Sequence, residues 1–209
     1  MIHEWIRTHL TAYPFDNPRV MQIINRSIRE LSSAKMRDVL RVCDPFANNS
    51  FTTRPKQGVH FYTNDLNPDM PTLFHMEAND FGEMCKETNM EFELLLWDPP
   101  YNLTQLKRQY EGIGKDLEQW QCRNPFGRAK DALAECIPLG GHIISFGFGS
   151  RGFGNRRGFK TLAIYNIEPT GTEYRYNVQI IVEKKIATTL DDFSDEVEVI
   201  PVRVAGESQ

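Results

Sequence analysis

Close-set cysteine or histidine pairs are missing from this chain of 209 residues. Its four cysteines, Cys43, Cys85, Cys122 and Cys136, lie far apart. That excludes zinc-ligand spacing and leaves the reduced thiols expected of a cytoplasmic protein. The five histidines, His3, His9, His60, His75 and His142, are equally scattered, so no metal is expected. No apolar run reaches the length of a membrane span, and no apolar signal stretch opens the chain. The expectation is therefore cytoplasmic localisation with no membrane partner. Internal repeats and low-complexity stretches are absent. So is an excess of positive charge, the net charge being −4. The acids are unevenly placed, however. Six of the 28 (Asp191, Asp192, Asp195, Glu196, Glu198, Glu207) follow residue 186, with Arg203 the one base there. The preceding body is near neutral, and local basic patches govern phosphate contact more than net charge does.

What is present is an alternation of strand and helix patterns. An apolar content of 40% supports a sizeable core. The length fits one domain over 1–185 with an acidic appendage over 186–209. Val20, Ile23, Ile24, Ser27, Ile28 and Leu31 fall on one face of a helix predicted from Pro18 to Leu31, with Asn17 as N-cap and Pro18 at the first helical position. Strands are predicted over Val39–Cys43, Val59–Thr63, Leu73–Glu77, Phe92–Trp97 and His142–Phe146. Helices are predicted around Phe81–Lys86 and Phe126–Ile137. Lys160–Ile167 and Tyr174–Lys184 alternate as a hairpin joined near Pro169-Thr170-Gly171. This order predicts an α/β sandwich with a mostly parallel sheet, a C-terminal antiparallel hairpin and helices on both faces.

Asp98-Pro99-Pro100-Tyr101 closes the apolar run ending at Trp97. The carboxyl end of such a strand is where open α/β sheets bind ligands. The four residues suit methylation of an amino group on a flat ring. The Asp98 carboxylate accepts one amine hydrogen. The Pro99 carbonyl is a second acceptor, held in extended backbone before Pro100. Tyr101 can stack on the ring. Two acceptors favour the pyramidal amine, whose lone pair is otherwise delocalised, and that is electrostatic preorganisation toward a transition state. An ordinary turn competes, since Asp and Pro both favour turns.

Three other strand tips suit a nucleotide-like cofactor. The first carries Asp44-Pro45-Phe46-Ala47-Asn48-Asn49-Ser50, without glycine. Asn48 and Asn49 are the best substitutes for the left-handed backbone that glycine usually supplies there, and Asp44 suits an ammonium group. Asp65, about 20 residues on, suits both hydroxyls of a ribose. Asp80 and Phe81 suit an adenine ring, the acid accepting from its amine. A surface turn, and a helix cap followed by a core aromatic, compete with the first and last of these readings.

The loop Gly147 to Gly158 is glycine-rich and basic. Arg151, Arg156, Arg157 and the following Lys160 suit phosphates, and Phe148 or Phe153 suits stacking or wedging. A solvated loop is the competing reading. Lys107, Arg108, Lys115, Arg123, Arg128 and Lys130 form a second basic set, interrupted by Glu111, Asp116 and Glu118, that reads better as a helical face.

These segments together resemble the class I S-adenosylmethionine-dependent amino-methyltransferases, and Asp98-Pro99-Pro100-Tyr101 resembles the catalytic motif of their adenine-N6 branch. More closely, the chain resembles adenine-specific DNA methyltransferases of phages and mobile elements. That likeness rests on Asp44 to Ala47, Thr63 to Pro68, Asp98 to Asn102, Tyr110 to Gly114, Ile143 to Phe148 and Arg157 to Phe159. It implies a Rossmann-like methyltransferase fold, S-adenosylmethionine as cofactor, DNA as partner, and a bacterial host cytoplasm if phage-encoded. Asp44, Phe46 and Asp65 would hold the cofactor, with Asp80 and Phe81 around its adenine. Asp98, Pro99, Pro100 and Tyr101 would hold a target base flipped from the helix. The chain departs from the family's Phe-x-Gly-x-Gly, with Asn48 and Ser50 at the glycine places, and leaves no room for a separate target-recognition domain. Methylation of an RNA base or protein amide, or an inactive nucleic-acid-binding module, are the alternatives.

Overall fold

A computed structural model of the protein describes residues 1–10, 14–34, 37–119, 121–149, 152–170 and 177–188. Seven strands form one sheet: β1 (Ile2–Thr8), β2 (Leu40–Asp44), β3 (Val59–Thr63), β4 (Leu94–Trp97), β5 (His142–Gly147), β6 (Phe159–Pro169) and β7 (Val178–Lys185). Their order is β1-β6-β7-β5-β4-β2-β3. Only β7 runs against its neighbours, β5 and β6. This is the predicted α/β sandwich, a mostly parallel sheet with a C-terminal antiparallel hairpin, with β1 added at one edge.

Four helices flank the sheet: α1 (Pro18–Ser33), α2 (Ala78–Glu87), α3 (Leu103–Gly112) and α4 (Gly127–Glu135). Alternation along the strands divides the core between two faces. Val42, Leu94, Leu96, Ile144 and Phe146 meet the apolar stripe of α1. Cys43, Leu95, Trp97 and Ile143 meet α2 and α4. The stripe on α1 is the predicted one, and Asn17 accepts from the backbone N–H groups of Arg19 and Val20. The Asn17 amide also donates to Thr8 Oγ1 and His9 O, tying the end of β1 to the start of α1. Asn79 joins the other two helices, accepting from Ala129 N at 2.9 Å and donating to Pro125 O at 2.8 Å.

Three expectations need correction. Leu73–Glu77 is not a strand. Leu73 N and Phe74 N both reach Thr63 O, and the ladder shrinks to one bridge between Asn64 and Phe74. Met76 N donates to the Asn64 side chain instead of to a ladder. The helix predicted at Phe81 begins at Ala78, after an extended Glu77. β1 and α3 were not anticipated. β1 is an edge strand, mostly exposed, with charged Glu4 and Arg7 in place of an apolar run. The expected turn at Gly171, and the appendage beyond residue 188, lie outside the described residues. Among the described residues no helix is long and apolar enough to cross a membrane, and no cluster of His, Cys, Asp and Glu could hold a metal ion.

Candidate functional site

The strand order reverses between β2 and β4, and the crevice beyond their carboxyl ends is the natural ligand site. Four strand tips build it. Asp44, at the end of β2, is fully buried. Thr52 Oγ1 donates to its Oδ2 at 2.8 Å, and Phe46 N donates to its Oδ1 at 3.3 Å. Burial raises its carboxyl to about 7 against these bonds, and the Asp98 and Asp65 charges add to the rise. Asp44 thus organises the turn from inside and does not face the crevice. Asn48 takes the left-handed conformation, φ 47°, and Asn49 does not. Asn48 N donates to Asp65 Oδ2 at 3.0 Å, and Asn67 N donates to Asp65 Oδ1 at 2.8 Å. Asp65 therefore holds the β2 turn against the β3 tip. Asn64, 1% exposed, performs the same joining at depth. Its amide donates to Pro45 O and Met76 O and accepts from Met76 N.

Asp98 lies at the β4 tip, between two cavities. The first is lined by Phe46, Asn48, Asp65, Glu77, Asp98 and Tyr110, among others. At about 70 Å³ it is smaller than an ordinary ligand pocket of roughly 300 Å³ or more. Past Asn48, Asp65 and Gln109 it continues into a wider space of about 240 Å³. Tyr110 OH donates to Glu77 Oε2 across it, and Gln121 Nε2 donates to Tyr110 OH. The lining suits a ribonucleoside: a carboxylate at the β3 tip to accept from hydroxyls, Glu77 to accept from an amine, and Phe46 beside a flat ring. The second cavity, about 470 Å³, lies beyond the Pro99-Pro100 wall. Tyr101, Phe126, Lys130 and Ser145 also line it. Pro100 and Phe126 border both cavities. Phe126 is braced edge-to-face by Phe46 at 5.0 Å.

Tyr101 OH donates to Asp98 Oδ1 at 2.7 Å. Burial raises the Asp98 carboxyl to about 6, against this bond, which lowers it. The hydroxyl occupies one carboxylate oxygen, and Oδ2 has no hydrogen bond among the described residues. The Tyr101 ring rests edge-on against Phe148 at 4.9 Å.

No protein-family model and no curated protein matches the chain. Among solved structures it is similar to TrmN from Thermus thermophilus, with TM-score 0.46 and 17% identity over 77% of this chain and 48% of that one. It is also similar to an rRNA methylase from Streptococcus thermophilus, with TM-score 0.47 and 11% identity over 82% of this chain and 98% of that one. A third is a SAM-dependent methyltransferase from Agrobacterium tumefaciens, with TM-score 0.48 and 12% identity over 84% and 63%. The chain spans about half the length of TrmN. These likenesses are of fold.

The structure brings together Phe46, Asn48, Asp65, Asp98 and Pro100 at the first cavity, and Pro99, Pro100 and Tyr101 at the second. It does not bring Asp80 or Phe81 to either lining described here. Phe81 is fully buried against Phe74, and exposed Asp80 pairs with Arg128 at 3.5 Å. Glu77 and Ala78, one turn earlier, face the cavity instead. Phe153 is a core residue, 2% exposed, edge-on to Trp97 and unable to stack on a base. Arg157 is tied to Asp131 at 2.7 Å and to Phe153 O. Glu183 accepts from Phe153 N and Gly154 N, and a side chain at Gly152 would lie 2.1 Å from that carboxylate. The loop is therefore anchored in its middle, with Arg156 and Lys160 exposed and Arg151 outside the described residues. In the second basic set, Lys107 pairs with Glu111, and Lys130 lies half-buried over the Trp97 and Phe153 rings. Glu77, Asn64, Phe126 and Ser145 were not singled out by sequence. Asn64 and Ser145 had a signal, lying in segments that carry the resemblance; Glu77 and Phe126 had none.

Proposed function

We propose that the protein is an S-adenosylmethionine-dependent methyltransferase acting on the N6 amine of adenine in DNA. The observation that carries this reading is Asp98 on the lining of the first cavity, next to the Pro99-Pro100 wall of the second, with one oxygen held by Tyr101 and no bond to the other among the described residues. The cofactor supplies an electrophilic methyl group on a sulfonium. Asp65 meets its ribose, Glu77 its adenine amine, and Phe46 packs beside its ring. The target base enters the larger cavity between Pro100, Tyr101 and Phe126. Asp98 Oδ2 and the Pro99 carbonyl accept its two amine hydrogens, which localises the nitrogen lone pair toward the first cavity. Alignment of the two cavities supplies the proximity term. The surplus proton leaves along the hydrogen bond to Asp98.

The test is transfer of radiolabelled methyl to unmethylated DNA, followed by nucleoside analysis. Label in N6-methyldeoxyadenosine is the expected result. Label only in RNA or protein offered in parallel would move the substrate to that class, and absence of both label and cofactor binding would overturn the reading.

The pH profile follows from the carboxyl at about 6. With Tyr101 on Oδ1, a proton on Oδ2 turns that oxygen from an acceptor into a donor facing the amine, so kcat/KM should fall as the pH drops through about 6. Tyr101→Phe removes the bond that holds this carboxyl down, so the acid limb should move to higher pH. A limb that stays put or moves lower would show that Asp98 is not the group titrating.

A further inference from the structure

Beyond the target-base cavity, a row of side chains crosses four strands on the sheet face opposite α1. Gly147 of β5 is in register with Gln179 of β7, Gln179 with Asn166 of β6, and Asn166 with Trp5 of β1. At the usual strand spacing the row spans roughly 14 Å. Ser145 stands at its inner end, paired with Ile181, and both line the 470 Å³ cavity. Ser145 is 4% exposed, and its Oγ has no hydrogen-bond partner among the described residues. Gln179 Nε2 donates to Asn166 Oδ1 at 2.7 Å, while the buried Gln179 Oε1 is likewise without a partner. Gly147 places no side chain in the path. At the outer end Trp5 is 68% exposed.

Two unpaired buried acceptors on one sheet face are costly unless a ligand meets them. Together with an exposed indole at the row's end, they have the features of a nucleotide-binding sheet surface. Flat rings stack on an aromatic, and side-chain amides meet the hydrogen-bonding edges of unpaired bases. Resting on the methyltransferase reading, we propose that the row binds a single-stranded stretch of the substrate flanking the target base. Ser145 hydrogen-bonds the target base, the Gln179 and Asn166 amides read the edge of a neighbouring base, and Trp5 stacks on a base at the sheet edge. This supplies recognition from the catalytic sheet itself. It also places the flanking strand along β5, β7, β6 and β1, away from the Asp65 side.

The test is fluorescence anisotropy of a labelled single-stranded DNA oligonucleotide, and of its duplex, with the full chain and with Trp5→Ala, Trp5→Phe and Gln179→Ala. Calorimetry with S-adenosylhomocysteine runs alongside. Trp5→Ala should weaken single-strand binding by about tenfold or more, and Trp5→Phe should recover most of that loss. Gln179→Ala should weaken it and flatten preference among oligonucleotide sequences, with cofactor heat unchanged in every variant. Single-strand binding that is equal in the wild type, Trp5→Ala and Gln179→Ala would overturn the proposal. Cofactor heat without any oligonucleotide binding would overturn the row and leave the methyltransferase reading standing. Absence of cofactor heat would instead count against that reading, while the Trp5→Ala comparison still decides the row.

Discussion

Asp98→Ala is expected to cut methyl transfer by roughly a hundred- to a thousandfold or more, with S-adenosylhomocysteine binding largely intact. Loss of one preorganised partner of a transition state costs about this much. Here the lost partner also leaves Tyr101 OH without its acceptor. The variant should remain folded. A carboxyl raised to about 6 by burial is disfavoured in the folded state when ionised, so that contribution to instability is absent below the unfolded value and grows as pH rises through about 6. Removing the group removes that cost at neutral pH, and intact S-adenosylhomocysteine binding would separate lost activity from unfolding. Asp98→Asn is the sharper control. It preserves shape and one oxygen but turns an NH₂ toward the substrate amine, and it should be nearly as inactive. Radiolabel in N6-methyldeoxyadenosine measures the rate, and calorimetry measures the cofactor. Normal turnover by either variant would place the chemistry elsewhere.

Asp65→Ala should weaken cofactor binding by about a hundredfold and raise the cofactor KM far more than it lowers kcat. Two effects combine. The variant removes the carboxylate proposed to meet the ribose, and hydrogen bonds to charged groups contribute about 1.5–3 kcal/mol each. It also strips the acceptors from Asn48 N and Asn67 N, which hold the glycine-free turn against the β3 tip. Asn48 keeps its left-handed backbone without a glycine's freedom, so this turn depends on such bonds more than a glycine-rich one does. Asp65→Asn keeps one acceptor and should fall between wild type and Asp65→Ala. Calorimetry across the three proteins checks the order, and wild-type affinity in Asp65→Ala would exclude a ribose role for this residue.

Legibility in the sequence followed the range of the interaction. The α1 stripe and its Asn17 cap depend on residues within a few positions of each other, and the structure has them as read, whereas, of Asn48 and Asn49, Asn48 alone takes the left-handed backbone. The expected third strand failed because an apolar pattern over Leu73–Glu77 says nothing of the partner ladder, which is cut to one bridge where the Asn64 side chain takes Met76 N. β1 escaped notice because the strand it pairs with, β6, lies more than 150 positions away. Asp80 and Glu77 differ by one helical turn, and only the packing of Phe81 into the core decides which of them faces the cavity. Phe153 and Arg157 looked like substrate contacts in a basic, glycine-rich loop. Glu183 and Asp131, from distant segments, hold that loop down.

The sequence by itself determined the α/β class and the placing of the Asp98 turn and the Asp65 carboxylate at strand tips. Strand periodicity and the backbone restrictions of proline and asparagine act locally and need no partner to be read. The tertiary structure alone decided which tips share a cavity, which basic residues are already paired, and which polar atoms are left over. Those outcomes depend on strand order and register, which set the distances between Asp98 and Phe126, Glu77 and Tyr110, and Ser145 and Gln179, and no local pattern encodes them.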